Sequence, residues 1–165
     1  MLTIIKQKVY SVLIGATVLI ALALATVGTA SAASDLLLAQ NLSFTDDSSP
    51  NFPIEGKDLA DATIAHGLPT LIFFGTPHCW NTAREAERLI ALYPRYSNRV
   101  HFVVVDLGHA TPAQQRLADQ YYPGYIPTLV IFDETGRLIY DRAGETASKR
   151  GDTSHLQALI DSALP

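Results

Sequence analysis

The 165-residue sequence predicts an α/β fold, a central mixed sheet with helices on both faces. Three observations predict it. Leu71–Phe74, Phe102–Val105 and Leu129–Phe132 are apolar runs of strand length without alternation, so each needs cover on both faces. In Asn81–Tyr93 and Thr111–Tyr122 the apolar spacing changes to that of an amphipathic helix. The order is therefore strand, helix, strand and helix, then a strand hairpin and a last helix, with no internal repeat.

Residues 1–32 stand apart from this pattern. Lys6 and Lys8 lead into an uncharged stretch from Val9 to Val27, followed by Gly28-Thr29-Ala30-Ser31-Ala32. Charged, apolar and small residues in that order are expected of a secretory signal, cleaved before Ala33. The 19 residues of Val9–Val27 also suffice to span a bilayer, so a retained membrane anchor is the alternative. Either way an exported, periplasmic or otherwise extracytoplasmic domain is expected, because the lysines precede the stretch and no basic residue follows until Lys57.

The remaining 133 residues are the size of one domain. They carry 10 basic and 16 acidic side chains, net −6 with neutral histidines. Such a surface offers no basic patch to nucleic acid, and membrane contact is expected only if the N-terminal segment is uncleaved. Within the domain, residues 33–53 read as a flexible extension, since Asp46-Asp47-Ser48-Ser49-Pro50-Asn51 has turn residues and no apolar period. Residues 54–165 read as the folded part.

Asp58–His66, with Leu59, Ala62 and Ile64 and with Gly67 at the C′ position, predicts a short helix. In the helix over Asn81–Tyr93, Thr82 or Ala83, Ala86, Leu89 or Ile90 and Tyr93 form the inward stripe. Arg84, Glu85, Glu87 and Arg88 take the outer side, and Pro94 ends the helix. The next helix has Thr111 as N-cap, Pro112 at N1 and Leu117-Ala118 inward. Asp133-Glu134-Thr135-Gly136 turns the chain into the return strand Arg137–Tyr140. Asp152 or Thr153 caps the last helix, with Leu156, Leu159, Ile160 and Leu164 inward.

Cys79 is the only cysteine, at the point where Leu71–Phe74 passes into a helix. A thiol there faces unpaired N–H groups and the positive end of the helix dipole, which favour a reactive thiolate. The competing reading is a small buried hydrophobe, and composition does not separate the two. No internal disulfide is possible with one cysteine.

The element order, together with Tyr125-Ile126-Pro127-Thr128-Leu129-Val130-Ile131-Phe132, resembles the thioredoxin-like superfamily over Lys57–Leu164. The resemblance implies that Pro127 is cis and that Ile126, Pro127 and Thr128 line a substrate groove, with Trp80 beside it. Gly67–Cys79 resembles, at equal length, the segment ending at the family's nucleophilic cysteine, which implies that Cys79 attacks. Three departures accompany it: Thr82 stands where the resolving cysteine would be, His78 where a tryptophan precedes the nucleophile, and Phe73 where many members bury an acid. Mixed disulfides on Cys79 would then need release by a partner's thiol or a small-molecule thiol. His78, as an imidazolium neighbour, is a candidate for tuning the thiol.

A second alignment sets Thr76-Pro77-His78-Cys79-Trp80 against the Cys-Pro-His-Cys-aromatic site of periplasmic disulfide-forming oxidoreductases. Cys79 would then be the resolving residue with its nucleophile replaced by Thr76, and the protein a redox-silent binding module. Thr76-x-x-Cys79 also resembles the peroxidatic motif of peroxiredoxins, but Ile72 replaces that family's proline. Copper-carrying relatives use a second cysteine, and His109 is the only obvious extra ligand here. No metal and no cofactor is therefore expected.

Overall fold

A computed structural model describes residues 36–143 and 152–165. The signal or anchor expected at 1–32 lies outside the described residues. The small strands β1 (Leu37–Leu38) and β2 (Ile54–Glu55) pair antiparallel. The strand β3 (Thr70–Gly75) leads through a short loop into α1 (Trp80–Tyr96), followed by β4 (His101–Asp106) and α2 (Pro112–Tyr121). Strands β5 (Thr128–Phe132) and β6 (Leu138–Ala143) form the hairpin, and α3 (Thr153–Asp161) closes the described chain. The main sheet has the order β4-β3-β5-β6, with β3 parallel to β4 and antiparallel to β5, and β6 antiparallel to β5.

The unbroken apolar runs have the reason expected of them. Successive side chains of a strand point to opposite faces, so each run divides between two cores. Leu71, Phe73, Val104 and Leu129 join Ala86 and Leu89 of α1 and Leu156 and Ile160 of α3. Ile72, Phe74, Val103, Val105 and Val130 join Leu117 and Ala118 of α2. Fully burying one such aliphatic or aromatic side chain contributes roughly 1.5–3 kcal/mol, so the central strand, buried at all six positions, anchors both layers.

Four expectations are corrected. First, residues 36–53 are not a loose tether: Leu36 and Ala39 are buried, and the Phe52 ring meets Phe73 edge-on at 6.2 Å. Secondly, Asp58–His66 forms no helix. Ala62 and Ile64 pack on the α2-side core, while the Leu59 and Asp61 carbonyls accept from the Gln114 side chain, so a tertiary anchor wins over helical spacing. Thirdly, Pro94 lies inside α1, which runs on to Tyr96. There the buried Tyr96 ring sends its hydroxyl to Asp161 Oδ1 at 2.6 Å, tying α1 to α3. Fourthly, Glu85 and Arg88 are buried and ion-paired, not solvated.

The hairpin turn is closed by one carboxylate. Asp133 accepts from the backbone N–H and hydroxyl of Thr135 and from the backbone N–H and Nε of Arg137. These bonds, the Thr135 hydroxyl foremost, hold Asp133 down to about 2. Gly136 takes φ +80°, a left-handed conformation that suits glycine. At α3, Asp152 rather than Thr153 is the N-cap, accepting from the N–H groups of Ser154 and His155.

Candidate functional site

The site sits where β3 ends and α1 begins. Cys79 is the N-cap residue of α1, with extended backbone (φ −137°, ψ 108°) and no side-chain cap bond of its own. Its carbonyl accepts from Ala83 N–H at 3.0 Å, and its thiol-bearing side chain is half-buried. His78, exposed and at φ +55°, makes the sharp reversal between the loop and the helix. The Trp80 ring, half-buried, carries the Arg84 guanidinium 5.7 Å from its centroid.

The first turn of a helix leaves N–H groups without intrahelical partners. One of them is taken from far away: Trp80 N–H donates to Asp47 Oδ1 at 2.9 Å. Asp47 lies in the segment expected to be loose, which is fixed here by Ser43 N–H donating to the buried Ser49 hydroxyl oxygen. A thiolate at Cys79 must therefore share the positive end of α1 with a carboxylate already bound there.

Thr82, one turn after Cys79, is fully buried, and among the described residues its Oγ1 has no hydrogen-bond partner. Its methyl group lies over Gly75: a Cβ added to Gly75 would fall 2.4 Å from Thr82 Cγ2. Only a residue without a side chain fits between β3 and the start of α1, which is why glycine stands at this strand end.

The second half of the site comes from the neighbouring strand. The Ile126–Pro127 peptide bond is cis. The β3–β5 register pairs Phe74 with Thr128, so Pro127 falls level with Gly75, at the same end of the sheet as the Cys79 loop. Pro127 is buried and Ile126 half-buried, while Tyr125 is 71% exposed. The buried Thr128 hydroxyl donates to the Tyr125 carbonyl at 2.6 Å, so it fixes its own turn. His78, Cys79, Trp80 and Thr82 thus cluster at the head of α1, and Ile126, Pro127 and Thr128 enter the adjoining strand.

Sequence reasoning missed two members, Asp47 and Gly75. Asp47 left no local signal, since the acceptor lies 33 residues before the donor. Gly75 had one, a glycine closing an apolar strand directly ahead of a helix. Among the described residues no three of His, Cys, Asp and Glu gather closely enough to hold a metal ion.

No protein-family model and no curated protein matches the sequence. Among solved structures the chain is similar to a thioredoxin-like protein of Clostridium perfringens, 21% identical, over 59% of this chain and 72% of that one, with a TM-score of 0.48. It is also similar to Fasciola hepatica thioredoxin, 19% identical over 59% of this chain and 83% of that one, with a TM-score of 0.47. A mitochondrial thioredoxin of Saccharomyces cerevisiae in its oxidised form is 21% identical over 60% of this chain and 82% of that one, with a TM-score of 0.46. The parallel β3–β4 pair, the antiparallel β5–β6 hairpin beside it, α1 following β3, and helices on both faces give this chain a thioredoxin-like fold.

Proposed function

We propose that the protein exchanges disulfides as a monothiol, through Cys79, outside the cytoplasm. The observation that carries this reading is the placement of one half-buried thiol as N-cap of α1, at the end of the sheet where Pro127 falls level with Gly75, with buried Thr82 one turn on. The Cys79 thiolate attacks one sulfur of a partner's disulfide, the new S–S bond forms, and the other sulfur leaves as a thiolate that takes up a proton. Thr82 has no thiol with which to break that bond. A second thiol, from a small molecule or a partner cysteine, attacks the mixed disulfide and returns Cys79 to its reduced form. His78 and Trp80 flank the attacking sulfur, and Ile126, Pro127 and Thr128 border the substrate chain.

One observation favours a second reading. Asp47 on the Trp80 N–H weakens the electrostatic case for a thiolate, as expected of a redox-silent binding domain that keeps the groove.

The test is incubation of the folded, reduced protein with oxidised glutathione, followed by intact-mass measurement. One glutathione adduct is expected, absent in Cys79→Ser and removed by excess reduced thiol. In Thr82→Cys an internal disulfide is expected to form and the adduct to disappear. A wild-type thiol that stays unmodified until the protein is unfolded overturns thiol exchange in favour of the binding domain.

A further inference from the structure

A cavity of about 330 Å³ opens beside the edge strand β4, whose last residue, Asp106, pairs with Gly75 of the Cys79 site. That volume lies at the lower end of the range of small-molecule sites. Its wall is apolar, built by Phe52, Ile54, Leu59 and Val104, and its polar rim is Asp106 and His109 at the carboxyl end of β4.

Gln114 makes this cavity rigid. Its side-chain amide donates to the carbonyls of Leu59 (2.6 Å), Asp61 (3.1 Å) and Val104 (3.1 Å), and its Oε1 accepts from Thr111 N–H. One buried side chain thereby pins the loop, the strand and the helix that form the walls, so little ordering is left for a ligand to impose.

The chemistry of the rim selects the ligand. The donors of Gln114 are consumed inside the wall. Asp106 accepts from Gly108 N–H at 2.9 Å and meets His109 Nδ1 at 2.8 Å, which leaves lone pairs on both carboxylate oxygens. The His109 side chain meets Asp106 through Nδ1 and is 80% exposed, so the Asp106 carboxylate is the acceptor that the cavity presents. Among the described residues no lysine or arginine lines the cavity. The rim thus presents the Asp106 carboxylate above an apolar floor.

We propose that this cavity binds a small amphiphilic cation, a protonated amine on an apolar body the size of one aromatic ring or a short alkyl chain. The ammonium donates to Asp106, and the body lies against Ile54, Leu59 and Val104.

The test is an NMR titration of the protein with phenethylammonium, compared with the isosteric 2-phenylethanol and 3-phenylpropionate. Saturable binding is expected in roughly the millimolar range, as for a ligand of so few atoms, with shifts confined to residues around Ile54, Leu59, Val104, Asp106 and His109. The alcohol is expected to bind more weakly and the carboxylate not at all. Asp106→Asn keeps the shape of the rim and should weaken the amine about tenfold or more, the size of a lost charge-assisted hydrogen bond. Ala60→Phe, which fills the space, should abolish binding. Shifts that fail to saturate or map elsewhere, an alcohol that binds as tightly as the amine, or an Asp106→Asn protein with unchanged affinity would each overturn the proposal.

Discussion

Helices α1 and α2 begin in opposite ways. At α2 everything is local: the Thr111 hydroxyl accepts from Gln114 N–H, the Gln114 side chain accepts from Thr111 N–H, and Pro112 occupies the first turn. At α1 the N-cap is a cysteine that caps nothing, and the acceptor arrives from Asp47, 33 residues earlier. A capping box satisfies two orphan donors within four residues and makes a helix start sturdy. At α1, which has no capping box, an acceptor for the Trp80 N–H comes from a distance. Local rules are broken where the chain's one cysteine sits and kept at the start of α2.

The contrast can be broken from either side. The largest loss is expected for Gln114→Ala, which removes half of the capping box and deprives the carbonyls of Leu59, Asp61 and Val104 of a partner. Urea denaturation should show a loss of about 3 kcal/mol or more. Gly75→Ala should cost about 2 kcal/mol by collision with the Thr82 methyl group. Thr82→Ser, which lacks that methyl, should recover part of it, and a double-mutant cycle without coupling would refute the contact. Thr111→Ala should cost about 1 kcal/mol.

Asp47→Asn should barely change stability, by about 0.5 kcal/mol, since an amide oxygen still accepts from Trp80 N–H. It should, however, speed alkylation of Cys79 by iodoacetamide at neutral pH by about two- to fivefold, through removal of a negative charge from the helix start. An unchanged rate would reduce the contrast between the two helices to one of stability alone.

The smallest effect is visible only in acid, at a third locally closed element, the Asp133 turn. Its carboxyl is lowered from 3.8 to about 2, so the stability it confers is complete above pH 4 and is lost as pH falls through about 2. Asp133→Asn should flatten that part of the stability curve, as circular dichroism against pH would report.

The strands, the hairpin and the start of α2 were legible in the sequence because each is written locally, in unbroken apolar runs, a turn tetrad and a capping box. The cluster of His78, Cys79, Trp80 and Thr82 was legible for the same reason, since one helix start holds them all. What escaped was written at long range. Leu59, Ala62 and Ile64 fit a helical stripe, yet the segment's carbonyls are claimed by Gln114, more than fifty residues on. Glu85 and Arg88 read as solvated because the spacing within α1 does not reveal that the fold covers this side of the helix. Pro94 read as a stop, although it falls in the last turn and is exposed there.

The packing of Leu36, Ala39, Phe52 and Ile54 has a consequence for where the folding unit begins. A polypeptide shortened to start at Lys57 would keep every strand of the main sheet, the Cys79 loop and the Ile126–Pro127 turn, but not Asp47. It would also strip the cover from Phe73 and uncap α1. Contiguous exposed apolar surface of that kind drives self-association. The smallest well-behaved version of this domain therefore starts at or before Leu36, and its first twenty residues serve as a lid on the core, not as a leash.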